Sequence, residues 1–205
     1  YGQDSGGDEN WHLHAIDLDT DVVRDLTPFQ GVSAQMIASS PAVPEEVLVG
    51  LNLEDRGRHD VYRVNLRNGA VEIDTVSPGA VDSWAADGDL TIRAAVASTP
   101  NGGRELVRRP APGGEWETIH KWSAAELAWS VGASSDGSTV YVIANHDADT
   151  GRLLAVDLRS GEQTVLAEDD TYDVGAAVFH PTRHHPQAAN VFGETRQWKI
   201  VDEEM

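Results

Sequence analysis

Apolar and polar residues alternate along most of the chain in short runs, a pattern that favours β-strands. In Asp60–Leu66 every second side chain is apolar, so this strand is predicted to have one polar and one apolar face. Glu46–Asn52 instead contains a continuous apolar run, which predicts a buried strand. Asn68 and Gly69 are typical of a two-residue hairpin turn, after which Ala70–Val76 is predicted to return as an outer strand.

A segment of this kind recurs along the chain. His12–Asp21 returns as Asp60–Gly69 and Arg152–Gly161, in degenerate form as Glu105–Gly114, and in part as Thr195–Asp202. Successive copies start 48, 45, 47 and 43 residues apart. Repeats of this length are typical of four-stranded, WD40-like propeller blades.

A second, independent period comes from tight turns that end apolar strands. These turns lie at Pro41, Asp87, Asp136 and Pro181, with steps of 46, 49 and 45 residues. No long stretch shows helical periodicity, and only Ser123–Leu127 suggests a single helical turn. The two periods keep the same phase, so the sequence predicts an all-β fold: a β-propeller with three complete four-stranded blades and two partial ones.

The blade boundaries follow from these two periods. Complete blades are expected at 31–78, 79–123 and 127–170, and partial blades at 1–30 and 171–205. The first partial blade should hold only its last two strands, near Trp11–Leu18 and Val22–Leu26, and the last one only its first three. We predict four innermost strands: Ala34–Ala38, Val81–Ala85, Trp129–Ala133 and Val174–Phe179. The chain is therefore expected to be a single propeller-type domain, 1–205, cut from a larger propeller.

Composition narrows the function classes. The formal net charge of −19 disfavours nucleic acid and anionic membranes as partners, because such a field repels both. The absence of cysteine excludes disulfides, thiolate catalysis and cysteine-based zinc sites, and it fits a cytoplasmic location. Neither a signal peptide nor an apolar run long enough to span a membrane is recognised.

No grouping in the sequence predicts catalysis. Serine hydrolases place their nucleophile in Gly-x-Ser-x-Gly at a strand-to-helix turn, and that motif does not occur. Gly132–Gly137 is rich in serine, but Asp136 and Gly137 favour a β-turn over a nucleophilic Ser134 or Ser135. The predicted catalytic set is therefore none.

Likewise, the sequence predicts no metal site and no cofactor site. Asp17–Asp21 and His146–Gly151 depart from the calcium-loop pattern, which requires a glycine at its sixth position and a glutamate at its twelfth. His180, His184 and His185 share a proline-containing loop that does not make three ligands converge on zinc. His12 and His14 lie two residues apart and so share one face of a strand. The glycine-rich loop Asp4–Trp11 is acidic and is therefore unsuited to binding phosphate.

Six tryptophans are distributed over the repeats: Trp11, Trp84, Trp116, Trp122, Trp129 and Trp198. Their repeat positions favour packing between blades. The alternative is a set of exposed platforms on which sugar rings stack, with Trp116 and Trp122 as the candidates.

Four segments resemble the propeller of prolyl-oligopeptidase-family serine peptidases, in the dipeptidyl aminopeptidase and acylaminoacyl-peptidase branch: Gln3–Leu13, Val22–Phe29, Pro44–Asn52 and His59–Leu66. The resemblance implies a propeller that screens peptide substrates by size above a C-terminal α/β-hydrolase domain. That hydrolase lies outside this sequence, so no catalytic residue is carried over.

The resemblance favours a non-catalytic propeller portion that gates or scaffolds the access of peptides to the hydrolase domain. Two alternatives are a standalone protein-interaction propeller and a sugar-binding propeller. The partial end blades predict an open arc that associates into a homo-oligomer, with Gln197–Val201 adding to a neighbouring chain's sheet.

Overall fold

The computed structural model describes residues 1–202, and all their regular elements are β-strands. The strands are β1 Gly2–Gln3, β2 His12–Ile16, β3 Val23–Asp25, β4 Ala34–Ser39, β5 Glu46–Asp55, β6 Arg58–Asn65, β7 Val71–Thr75, β8 Val81–Ala86, β9 Ile92–Ser98, β10 Arg104–Arg108, β11 Glu117–Trp122, β12 Ala128–Ala133, β13 Thr139–Ala144, β14 Arg152–Asp157, β15 Gln163–Ala167, β16 Val174–Phe179, β17 Pro186–Phe192 and β18 Arg196–Ile200. In this described part of the chain, no helix is long and apolar enough to cross a membrane.

These strands form five antiparallel sheets in which spatial neighbours are also neighbours in sequence. Sheet 1 (β1–β3) and sheet 5 (β16–β18) have three strands each. Sheet 2 (β4–β7), sheet 3 (β8–β11) and sheet 4 (β12–β15) have four. This arrangement confirms the predicted propeller of three complete and two partial blades.

The recurrent sequence segment proves to be a strand followed by a side-chain-capped turn. Asn65 Oδ1 accepts the backbone N–H groups of Arg67 and Asn68 at 3.0 and 3.1 Å. Asp157 Oδ1 accepts those of Arg159 and Ser160 in the equivalent turn, at 2.9 and 2.6 Å. Asparagine and aspartate favour turns for this reason, since their side chains bond the backbone two or three residues on.

The innermost strands lie where the sequence predicts them, within one residue at each end. Sheet 1 differs from the prediction, because β1 pairs with β2 through Gly2 opposite Leu13 and Gln3 opposite His12. Two residues form this strand, too few for any alternation to be visible in the sequence. Ser123–Leu127 contains a turn closed by the Glu126 N–H to the Ser123 carbonyl at 3.1 Å.

The chain divides into two compact units, of which the first, Tyr1–Gly79, holds sheets 1 and 2. Its core packs between those two sheets. Fully buried side chains come from sheet 2 and the segment before it, among them Val32, Val49, Leu51 and Val64. Leu13 and Ala15 of β2 pack against this core. Alternation along β2 therefore leaves His12, His14 and Ile16 on the opposite face of sheet 1.

The second unit begins at Ala80 and holds sheets 3, 4 and 5. Sheet 4 lies between two cores. Val140, Val142 and Ala144 of β13 pack in the core shared with sheet 3. Tyr141 and Ile143 of the same strand pack in the core shared with sheet 5. Consecutive apolar residues thus serve opposite faces, which explains why this strand has no polar side.

Candidate functional site

The serine-rich turn Gly132–Gly137 is a capped β-turn. Ser134 Oγ donates to Asp136 Oδ1 at 2.6 Å, and the Ser138 N–H donates to the same oxygen at 3.0 Å. These hydrogen bonds hold the pKa of Asp136 down at about 2, so this carboxylate is a weak base. Ser135 is exposed in the same turn. The expected absence of a catalytic serine here stays a prediction.

The acidic segment Asp17–Asp21 is the capped turn of the first repeat. Asp17 Oδ1 accepts the backbone N–H groups of Asp19 and Thr20 at 3.1 and 2.9 Å, and the Thr20 hydroxyl at 2.9 Å. These bonds lower the pKa of Asp17, with the Thr20 hydroxyl as the largest cause. Within residues 1–202, no group of three or more His, Asp or Glu side chains is placed to hold a metal ion.

Polar and charged side chains line most of a cleft of about 680 Å³ beside sheet 1. His12 Nδ1 lies 2.7 Å from Asp25 Oδ2. The His14 ring stacks on the Tyr1 ring with centroids 5.2 Å apart. Asp4 and Asp8 add two more carboxylates from the glycine-rich loop. The cleft is therefore acidic, which favours cationic or hydrogen-bond-donating groups over phosphate.

The loop that closes this cleft caps its own backbone. Asp8 Oδ1 accepts the N–H groups of Ser5 and Asn10 at 3.3 and 3.1 Å. Its other oxygen accepts the Asn10 amide at 3.2 Å, which is the main cause that lowers the pKa of Asp8. The Asp8 carboxylate therefore caps the backbone of its own loop.

The three histidines of the loop before β17 point to different partners. His180 Nδ1 accepts the N–H groups of Thr182 and Arg183, both at 3.2 Å. His185 Nε2 lies 2.5 Å from Asp202 Oδ2. His184 adopts a left-handed backbone conformation with φ of 54°. Thr182 and Arg183 thus both bond the His180 ring, and Asp202 bonds the His185 ring, which stacks on His180 with centroids 5.5 Å apart. The loop is organised as a turn capped by His180.

A second histidine pair, His120 and His146, lies in the second unit and has no signal in the sequence. Their ring centroids lie 5.0 Å apart in an edge-on arrangement. His146 Nδ1 is 2.6 Å from Glu126 Oε1, while Glu126 Oε2 accepts the N–H and hydroxyl of Ser123, both at 2.7 Å. These partners lower the pKa of Glu126 to about 2, with the Ser123 hydroxyl as the largest cause. Only packing between sheets 3 and 4 brings the two rings together, because they are 26 residues apart.

The tryptophans differ in their surroundings. Trp122 is 3% exposed in the core between sheets 3 and 4, so it packs between blades as predicted and cannot stack on a sugar. Trp84 and Trp116 contact each other with centroids 6.0 Å apart. Trp11 and Trp198 are half exposed, so the described residues do not bury them between blades as the repeat positions predicted.

Three comparisons with known proteins agree with this architecture. The chain is 36% identical over 204 residues to dipeptidyl aminopeptidase BIII of Pseudoxanthomonas mexicana, a match that covers 98% of the chain and 30% of that protein. A Mycobacterium tuberculosis puromycin-hydrolyzing peptidase superposes with a TM-score of 0.66 at 16% identity, over 100% of the chain and 36% of the peptidase. TolB of Acinetobacter baumannii superposes with a TM-score of 0.62 at 14% identity, over 94% of the chain and 49% of TolB.

The two structural matches show the fold, and the sequence match confirms the family resemblance drawn from the four segments. No protein-family model matches the chain. The chain spans about 30% of the length of the dipeptidyl aminopeptidase, so most of that relative has no counterpart in this sequence.

Proposed function

Starting from a propeller segment related to the prolyl-oligopeptidase family of serine peptidases, we propose that the chain is the non-catalytic propeller part of such a peptidase. In this role it would scaffold a C-terminal α/β-hydrolase domain and limit which peptides reach it. The observation that carries the proposal is the 36% identity to a dipeptidyl aminopeptidase, which runs through 98% of the chain.

The arrangement of polar groups supports a scaffolding role. Acyl transfer requires an activated nucleophile, a base and an oxyanion site in one place. In the described residues, the serine-rich turn pairs Ser134 with a carboxylate of low pKa, and the His146–Glu126 pair engages Ser123 through Glu126 rather than through the imidazole. Ser123 and Ser134 are therefore engaged in turn capping.

The proposal is tested by producing the 205-residue chain and, separately, the whole protein encoded by the same gene. We expect the whole protein to release p-nitroaniline from dipeptidyl p-nitroanilides and the 205-residue chain to release none. Ser135→Ala in the whole protein is the matched control, and it should leave the rate unchanged. Turnover by the 205-residue chain that disappears in Ser135→Ala would overturn the proposal.

Size screening is a separate part of the proposal and has its own test. The whole protein is given a short peptide and a folded protein that carries the same amino-terminal sequence in an extended tail. We expect cleavage of the peptide and none of the folded protein, because a propeller over the hydrolase would exclude the larger substrate. Equal cleavage of both substrates would contradict size screening by the propeller, while the scaffolding role would still stand.

A whole protein without hydrolase activity would instead favour a standalone interaction propeller.

A further inference from the structure

His120 lies at the joint between sheets 3 and 4, where its two ring nitrogens have different surroundings. His120 Nδ1 is 3.0 Å from Gln163 Nε2 of strand β15. Its Nε2 is buried and has no hydrogen-bond partner in residues 1–202. The ring also packs edge-on against Trp122, with centroids 4.6 Å apart.

The Gln163 amide contacts His120 Nδ1, and either its nitrogen or, after a flip of the amide, its oxygen can make that contact. A neutral ring carries one proton, so with that proton on Nδ1 the buried Nε2 has no N–H to satisfy. Protonation would put an N–H on both ring nitrogens, which makes Nε2 a buried donor with no acceptor in residues 1–202. The charged ring is therefore unfavourable in the closed joint.

The charged groups around His120 come from three elements. From sheet 4, the loop after β13 presents the His146 ring and the Asp147 carboxylate. From the turn between β11 and β12 comes Glu126, which holds His146. The Arg152 guanidinium lies behind the cluster and donates to the His146 carbonyl. His120 itself lies on β11 of sheet 3, so protonation of both rings would put two positive charges about 5 Å apart across the joint.

We propose that His120, with His146 facing it, forms an acid-sensitive joint between sheets 3 and 4 that is closed while His120 is neutral and loosens when it is protonated. Loosening would expose the outer strands β11 and β15, which meet at this joint through His120 and Gln163. This device is independent of the proposed peptidase role, because it depends only on contacts within the second unit.

The direction of the pH effect follows from the surroundings of His120. Burial, followed by the nearby His146, lowers the pKa of His120 below the ordinary value of 6.5, while Glu126 and Asp147 act in the opposite sense. A histidine whose folded pKa is lowered stabilises the fold above its unfolded pKa. That stabilisation is lost progressively as the pH falls below 6.5 towards the lower folded value.

Hydrogen exchange measured by mass spectrometry on the 205-residue chain tests the joint. We expect the protection of β11 and β15 amides to fall about three- to tenfold between pH 7.5 and 5.5, after correction for intrinsic exchange. His120→Gln, which cannot titrate, should remove most of this change, and His146→Gln should reduce it. The matched control is His14→Gln in the first unit, which should leave the change as it is.

A direct titration covers the case in which His120→Gln fails to fold. The Hε1 resonance of His120 in the unmodified chain should titrate below the range of an unfolded histidine, and β11 amide shifts should move with the same midpoint. The proposal would be overturned by protection of β11 and β15 that is unchanged at pH 5.5. It would be overturned equally by an acid effect that persists in full in His120→Gln.

Discussion

Strands β13 and β18 belong to neighbouring sheets of the second unit, yet they meet opposite environments. Val140–Ala144 of β13 are all buried, because both faces of sheet 4 are covered. β18 is the last strand in the order of sheet 5, and its Trp198 and Ile200 are 53% and 59% exposed. The covered strand thus buries all its apolar residues, whereas the edge strand leaves large apolar residues in solvent.

The largest expected effect is the loss of a core side chain from the covered strand. Ile143→Ala should lower the free energy of unfolding by about 3 kcal/mol, since it removes buried methylenes and leaves a cavity. Ile200→Ala on β18 should change it by less than about 0.5 kcal/mol, because the side chain is already largely in water. Urea unfolding of both variants measures the contrast. Equal losses would mean that β18 is buried in solution.

Substituting alanine for two glycines tests how sheets 3 and 5 respond to an added methyl group. A Cβ at Gly103 would lie 2.5 Å from the backbone carbonyl oxygen of Trp122, which cannot move without disturbing sheet 3. A Cβ at Gly175 would instead overlap the ring of Phe192, which is 47% exposed and packs under Arg196, so a surface side chain rather than backbone has to move. Gly103→Ala should cost about 2 kcal/mol and Gly175→Ala less. Thermal unfolding ranks the two, and the reverse order would contradict this account.

Acid should lower the stability of the joint between sheets 3 and 4. The pKa of Glu126 is lowered from 4.5 to about 2 in the folded chain, so its contribution to stability is present above pH 4.5 and disappears as the pH falls towards 2. Glu126→Gln should therefore show a smaller loss of stability across that window. Urea midpoints at several pH values measure it. A variant with the full pH dependence of the unmodified chain would show that other carboxylates carry the effect.

The exposed apolar side chains of β18 should promote self-association of the chain. The homo-oligomer expected from the sequence stays a prediction, and β18 is where it can be tested. Trp198→Ser should lower the weight-average mass seen by light scattering at micromolar concentration. Tyr172→Ser, which removes a less exposed aromatic near the same sheet, is the control. A strictly monomeric unmodified chain would contradict the prediction.

Salt should give the smallest effect. The chain has 34 acidic against 15 basic residues, so screening should relieve repulsion and raise the melting temperature slightly between low and moderate ionic strength. Arg63 already bridges Glu46 and Asp74 at 2.9 and 3.1 Å, which limits the gain. A melting temperature that stays flat or falls would show that local pairs compensate the charge.

Local patterns were enough to predict the turns and every strand except β1. The buried run in β5 and the capped turn at Asn65 depend on neighbouring residues, so their signals are present in the sequence. β1 was missed because two residues carry no alternation. His120 and His146 were missed because only the packing of sheet 4 on sheet 3 brings them together, and no spacing rule links residues on different blades.

If the chain is the propeller part of a serine peptidase, as proposed, the catalytic serine of that peptidase lies outside residues 1–205. Labelling the whole protein with a fluorophosphonate, followed by digestion and mass spectrometry, locates the reactive serine directly. We expect a single modified serine outside residues 1–205. A label on a serine within residues 1–205, at Ser134 or Ser135 in particular, would contradict the account.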